Sequence, residues 1–332
     1  MAAQPALPPV ADQISRKRDQ GLHPAVLAAG LAVIVLMLAA GPDYLGQSAL
    51  LELELILGLA VFAAATNLLL GYGGLVSFGQ ATFYGIGAYA IALNWMHWKL
   101  PFWLAFSAAP FAAALAAFFV GLIALRARKL YFALLTLAFS QLFYVVAEQQ
   151  YHFTGGANGI FGKMIPPALA VPQNGYWFIL GVAVVALLAL WKITVSPFGL
   201  LLRATRERPE RAESLGLNVF GHQLMAFVLS GFFCGLAGAL YAVYNQNAYP
   251  ELLDWVKSGD PVMMSVIGGM YSFLGPVVGA FIYEIARQFL VGTTRDWQLI
   301  LGVVLLVIIL FMPDGLIGQF KHGLPWRKGG RK

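Results

Sequence analysis

Charge is scarce in this sequence. Its 332 residues include 21 Lys and Arg and 15 Asp and Glu, 11% of the chain, where a soluble domain carries about 25%. A chain that also has 60% hydrophobic residues cannot clothe a water-soluble surface, and disorder is excluded for the same reason. Cysteine is scarcer still. Cys234 is the one copy, so no intrachain disulfide forms, and its apolar setting suits a buried small residue. Catalytic constellations are missing too. The histidines His23, His97, His152, His222 and His322 stand singly, with no H-E-x-x-H and no Cys/His cluster. No G-x-S-x-G elbow occurs. The run Ala157-Asn158-Gly159-Ile160-Phe161-Gly162-Lys163-Met164 approximates a phosphate-binding loop. It has Ala for the first Gly and Met where Ser or Thr must meet magnesium, so the chain itself hydrolyses no nucleotide. Neither a cofactor nor a metal is called for, and the chain reads as a non-enzyme.

What is present is long apolar runs. About 20 such residues cross a bilayer, and spans are expected at 24–41, 50–70, 80–97, 101–125, 130–149, 176–194, 223–244, 258–273, 276–292 and 297–313. The reading is an all-α polytopic membrane protein of about ten spans. Its Gly-rich stretches near 71–79 and 265–279 are candidates for broken or re-entrant segments. Residues 1–22, with Arg16-Lys17-Arg18, form a cytoplasmic tail. No A-x-A-type cleavage site follows Leu31–Leu38, so the first apolar run is expected to be a retained helix. Residues 23–318 make up the permeation domain and 319–332 a basic tail.

The net charge of +6 reports topology rather than nucleic acid. With the N-terminus inside, the inside loops hold Arg16, Lys17, Arg18, Arg126, Arg128, Lys129, Lys192, Arg203, Arg206, Arg208, Arg211, Lys321, Arg327, Lys328, Arg331 and Lys332. Only Lys99, Lys163, Lys257, Arg287 and Arg295 remain for the outer side. Both termini are thus expected in the cytoplasm. Tyr44, Trp95, Trp98, Trp103, Tyr176, Trp177, Trp255 and Trp297 fall near outer span ends, and Tyr131, Trp191 and Trp326 near inner ones, as headgroup-level rings do. Deep ionisable groups of the kind that couple ions to transport are nearly absent. Glu52 and Glu54 lie near an outer end, and Glu284 and Arg287 can pair at i,i+3. An ion-coupled carrier is the alternative reading.

Three segments stand out. Asn67–Tyr89 places glycines at 71, 73, 74, 79, 85 and 87. In lipid, broken backbone is tolerated where protein buries it or a wet cavity runs alongside. The segment therefore either packs closely on a neighbouring helix or lines a path, to which Asn67, Gly73, Gly74, Ser77, Gln80 and Thr82 would contribute. Gly268-Gly269, followed by Ser272-Phe273 and Gly275, echoes Gly73-Gly74, Ser77-Phe78 and Gly79; Gly268, Gly269 and Ser272 join the path candidates. Third is the long inside loop 196–222. Pro209 suits the first position of a short helix and Gly216 its C′ position. Ala204, Ala212 and Leu215 are expected to form an apolar stripe, and Glu210–Glu213 an exposed face. A docking knob for a soluble cytoplasmic partner is the functional reading; a bare charged loop is the other.

Together these segments resemble the permease subunits of branched-chain amino acid ABC importers, of the LivM type. The resemblance rests on NLLLGYGGLVSFGQATFYGIGAYA at Asn67–Ala90, LYFALLTLAFSQ at Leu130–Gln141, TGGANGI at Thr154–Ile160, the loop and helix Arg203–Ala242, SVIGGMYSFLGPVVGAFIYE at Ser265–Glu284 and FMPDGLIG at Phe311–Gly318. It implies a multi-pass subunit of a bacterial inner membrane, paired with a second permease, homologous or identical. Two cytoplasmic ATPases and a periplasmic solute-binding protein complete the assembly. Arg206, Glu210, Ala212, Glu213, Leu215 and Gly216 then belong to the ATPase-coupling loop, resembling the family's EAA…G segment with Glu210-Arg211-Ala212-Glu213-Ser214 in its place. Cargo within such families ranges over leucine-type amino acids, urea or short amides, and small aromatic or carboxylic acids, with selectivity residing largely in the binding protein.

Overall fold

The computed structural model describes residues 46–127 and 130–293, with a few positions between 299 and 316. The expected span 24–41, most of the expected span 297–313, both chain termini, Tyr44, Trp297 and Trp326 lie outside the described residues. Ten of the helices among the described residues carry the fold, and a further four-residue helix spans Tyr151–Thr154. The ten are α1 (Gln47–Asn67, running on as a π-helical stretch Leu68–Gly73), α2 (Gln80–Leu93, running on as Asn94–Trp98), α3 (Phe102–Ala124) and α4 (Leu130–Gln149). There follow α5 (Pro172–Val195), α6 (Pro197–Glu207), α7 (Pro209–Ser214), α8 (Val219–Asn245), α9 (Gly259–Gly268) and α10 (Leu274–Thr293). The TGGANGI segment is not a phosphate cradle. It turns through Gly155, Gly156 and Gly159, all at positive φ, into β1 (Ile160–Phe161), which pairs antiparallel with β2 (Asn247–Ala248).

Six of these elements are long and apolar enough to cross a membrane: Gln47–Gly73, α3, α4, α5, α8 and α10. Helix α2 has 14 residues before its π-helical continuation. The expected span 258–273 is corrected. Helix α9 has ten residues, about 15 Å of rise against a hydrocarbon core of about 30 Å, and at Gly269 (φ 113°) the chain reverses. It then returns as α10, and α9 and α10 form an antiparallel hairpin in which Met264 lies against Gly279 and Gly268 against Gly275.

Burial sorts the spans. The apolar stretches of α1 and α8 are 83% and 78% buried within the chain, against 28% for α4 and 33% for α3. A helix apolar on all sides belongs inside, so α1 and α8 form the centre, and α3 and α4 leave Phe111, Leu115, Phe119, Leu134 and Leu142 exposed on the outside of the chain. Between apolar helices in lipid, close backbone approach replaces the hydrophobic driving force. Helices α2 and α8 meet this way: a Cβ at Gly87 would overlap the Gly235 carbonyl oxygen, and one at Gly238 that of Tyr84. Cys234 is fully buried on α8, as its composition-based reading required.

Trp95, Trp98, Trp103, Trp177, Trp255 and Tyr131 are exposed, and Trp191 is half-buried. Tyr176 is the exception. The buried stripe of α5 runs through Tyr176, Ile179, Ala183, Leu187 and Leu190, at helical spacing, so Tyr176 turns into the protein. Glu284 and Arg287 pair as expected, with Arg287 Nε donating to Glu284 Oε2 at 2.9 Å.

Replacing Gly87 by Ala overpacks the α2–α8 crossing and is expected to lower stability by about 1–3 kcal/mol. Gly181→Ala, where a Cβ meets nothing within 4 Å, is expected to be neutral or slightly stabilising. Unfolding of the detergent-solubilised variants measures both.

Candidate functional site

The loop 196–222 folds as two short helices at one end of the bundle. Pro197 opens α6 and Pro209 opens α7, each supplying the preset φ that a first helical turn uses. Helix α7 ends as its residues require. Gly216 adopts φ 84°, its N–H donates to the Glu213 carbonyl at 2.9 Å, and the Leu217 N–H donates to the Ala212 carbonyl at 3.1 Å. This is a Schellman cap with glycine at C′. Glu210 and Glu213 are exposed as expected. The apolar stripe is corrected: Ala212 is buried, whereas Ala204 and Leu215 face out, Leu215 at 79% exposure. The cap explains the split, because it turns Leu215 off the helix face that Ala212 occupies. The outward surface of the knob therefore carries Leu215, a bulky apolar side chain, together with the charged side chains of Glu210, Arg211 and Glu213.

The inward side of the loop reaches the first glycine segment. Helical hydrogen bonding fails at Gly74 (φ 68°), and residues 74–79 run without helix before α2 begins. The last carbonyls of the broken helix lack intrahelical donors. Arg206 supplies one, its Nη1 donating to the Gly71 carbonyl oxygen. The Arg203 guanidinium lies 4.6 Å from the centroid of the Tyr72 ring, and that of Arg206 lies 4.8 Å from the centroid of the Tyr271 ring. Tyr271 belongs to the second glycine segment. The two segments also abut directly, since a Cβ at Gly71 would overlap the Met270 carbonyl oxygen. Gly315 packs against Gly269 in the same place.

The echo between the segments has a structural counterpart. Each is a helix stopped by the second of two glycines at positive φ, Gly74 and Gly269, followed three residues later by a serine that receives an N–H of the next helix start. Ser77 Oγ accepts from the Gly79 N–H at 3.3 Å, and Ser272 Oγ from the Gly275 N–H at 3.0 Å.

The path candidates divide by access. Gly74 is exposed and Ser272 half-buried, while Asn67, Gly73, Ser77, Gln80, Thr82, Gly268 and Gly269 are buried. Gln80, fully buried, ties three helices together. Its Nε2 donates to Ser77 Oγ at 3.3 Å, and its Oε1 accepts from Cys234 Sγ at 3.2 Å. The Ser230 hydroxyl lies 3.0 Å from that oxygen and 2.7 Å from the Ala65 carbonyl oxygen. The open N-terminus of α2 is satisfied from elsewhere in the chain: Thr136 Oγ1 accepts from the Phe78 N–H at 3.1 Å and Ser258 Oγ from the Ala81 N–H at 2.9 Å. Residue spacing gave no sign of Thr136, Ser230 and Ser258, which lie 58 to 177 residues from their partners. Asn67 Oδ1 and Thr82 Oγ1, by contrast, are buried with no hydrogen-bond partner. Among the described residues no cluster of His, Cys, Asp or Glu is placed to hold a metal ion.

Comparison with known proteins gives a consistent result. The family described as "Branched-chain amino acid transport system / permease component" matches residues 49–310. The high-affinity branched-chain amino acid transport system permease protein LivM of Escherichia coli (strain K12) is 29% identical over 307 residues, covering 84% of this chain and 71% of its own length. A probable branched-chain amino acid transport permease protein LivM of Methanocaldococcus jannaschii is 23% identical over 209 residues, 57% of this chain and 60% of that protein. A probable LivH permease of the same organism is 27% identical over 145 residues, 40% of this chain and 42% of that protein. No solved structure matches this chain.

Ser230→Ala withdraws a hydroxyl from two buried acceptors and is expected to cost about 1–3 kcal/mol of stability. Ser107→Ala, at an exposed site, is expected to stay within about 0.5 kcal/mol of the parent. Denaturant titration of both variants in detergent distinguishes the two outcomes.

Proposed function

The chain belongs to the family of permease components of branched-chain amino acid transport systems, and from that premise we propose that it is the membrane-spanning subunit of an ATP-driven importer. Its cargo is a branched-chain amino acid or a similarly small amphipathic solute, moved from periplasm to cytoplasm across a bacterial inner membrane. The chain is a transport subunit and not an enzyme, so energy enters from two separate ATPases docked on its cytoplasmic face. A second permease, of the same or a related sequence, completes the pathway. A periplasmic binding protein delivers the cargo and sets most of its selectivity.

The observation that carries this reading, beside family membership, is the capped knob at Pro209–Gly216. It offers Leu215 as an exposed apolar contact beside the exposed charged residues Glu210, Arg211 and Glu213, a surface suited to a groove on a soluble partner. Scarcity of charge within the spans supports the same division of labour. The Glu284 carboxylate is closed off by Arg287 and is a poor site for a travelling ion, which disfavours an ion-coupled carrier. In this reading ATP-driven closure of the ATPases moves the knob and shifts the permease between outward- and inward-open states. Such a shift requires contacts that differ between the two. Cargo passes beside the two glycine breaks, with Gly74 and Ser272 reachable from the path. Asn67 Oδ1 and Thr82 Oγ1, buried polar atoms without a hydrogen-bond partner, become available as the breaks open. Both termini and the basic tails face the cytoplasm.

Proteoliposomes containing the permease pair, the ATPases and the binding protein are expected to take up leucine only when ATP is supplied on the ATPase side. Uptake driven by an ion gradient without the ATPases would contradict the proposal. Gly216→Ala, which forces a side chain into the left-handed region at about 1–2 kcal/mol, and Glu213→Ala are both expected to reduce co-purification of the ATPases with membrane insertion unchanged. Retention of the ATPases at the parental level by both variants would remove the docking assignment.

A further inference from the structure

The loop that carries the docking knob uses its two sides differently. Glu210, Glu213 and Leu215 point outward, while Arg206 is half-buried and engaged with the membrane helices. We propose that Arg206 is a positioning residue which carries displacement of the knob into both glycine breaks at once, and that it makes no contact with the ATPase. The proposal rests on the reading of the chain as an ATP-driven permease and assigns the route of transmission within it.

Geometry supports the route at each step. Between α6 and α7 lies a single residue, Arg208 (φ −149°, ψ 86°), whose N–H still donates to the Ala204 carbonyl at 3.1 Å. The two helices are thus joined without slack, and a push on α7 reaches α6. Helix α6 presents Arg206 to the first break through the Gly71 carbonyl and to the second through the face of Tyr271, 4.8 Å away. Its stem lies over Gly74, where an added Cβ would come within 2.5 Å of Arg206 Cγ. Arg203, one turn earlier, holds only the first break, through Tyr72. Leu202 is buried beside it, 3.6 Å from where a Cβ of Gly73 would sit. Arg206 is therefore the side chain on this loop that bridges both breaks. The chemistry is specific to arginine. A planar guanidinium donates at its edge and stacks through its face at the same time, whereas a lysine ammonium is a point charge that cannot do both. The breaks are also where movement is cheapest. Residues 74–79 run without helix between two helices, while α2 and α8 are locked together through their glycines.

A test that needs no identified cargo uses Val76→Cys, an exposed position within the first break. Cys234, the single native cysteine, is buried, so bimane labels residue 76 alone. In the full complex, trapping the ATPases with ATP and vanadate is expected to shift the bimane emission. Arg206→Gln and Arg206→Lys are expected to reduce that shift about fivefold or more, with ATPase co-purification unchanged. Tyr271→Leu is expected to reduce it likewise and Tyr271→Phe to preserve it. If the arginine variants fail to insert, the Tyr271 pair decides the question, since it leaves the loop intact. A full shift in Arg206→Gln or in Tyr271→Leu overturns the proposal. So does loss of the ATPases from Arg206→Gln, which would make Arg206 a docking contact, and so does a wild-type complex that retains its ATPases but shows no shift. A wild-type permease that retains no ATPase refutes instead the importer reading on which the proposal rests.

Discussion

Inside a bilayer no water is available to satisfy a broken helix, and every feature around the two glycine segments follows from that constraint. Each freed N–H or carbonyl must find a partner within the protein, because an unsatisfied group costs several kcal/mol. The break at Gly74 leaves carbonyls at the end of one helix and N–H groups at the start of the next. Arg206 takes the Gly71 carbonyl, Thr136 the Phe78 N–H, Ser77 the Gly79 N–H and Ser258 the Ala81 N–H. Three separate parts of the chain thus converge on one interruption, beside its own Ser77. The loop 196–222 is one of them, so it is mechanically tied to the core of the bundle rather than hung from its end.

Glycine plays two opposed roles in this arrangement. At Gly87, Gly235 and Gly238 it lets α2 and α8 approach until their backbones touch, which fixes them as one block. At Gly74 and Gly269 it permits positive φ, which ends a helix and creates a place to bend. The Gln80 knot, drawing on α1, α2 and α8 through Ser77, Ser230, Cys234 and the Ala65 carbonyl, reinforces the block immediately beside the bend. In the proposed importer, a rigid centre bordered by two glycine breaks, with one arginine reaching both, is the mechanical basis for alternating access.

Hydropathy made the long helices legible, because a 20-residue apolar run admits few other structures in lipid. Proline and glycine made the ends of α7 legible, since both act through local backbone geometry that the residue itself carries. Composition could not reveal the shortness of α9. The apolar run 258–273 continues through Gly268-Gly269, and only the contacts of α9 with α10 show that the chain turns back there. The inward turn of Tyr176 is hidden for a related reason: it stands near an end of α5, and only the packing of one face of that helix shows which way its ring points. The inward course of Arg206 is the clearest limit. A basic residue on a cytoplasmic loop reads as solvated, and its partner Gly71 lies 135 positions away, beyond any periodicity. The echo between the glycine segments was visible as letters, while its meaning as two capped breaks in contact needed coordinates.

The account stands or falls on whether the docking knob and the two breaks respond as one unit. Amide hydrogen exchange on the intact complex, compared between its nucleotide-free and vanadate-trapped states, reports this directly. Protection is predicted to change together at residues 209–217, 71–79 and 269–275, with the α2–α8 crossing unaffected. A change confined to residues 209–217, with both glycine segments exchanging as before, would contradict it.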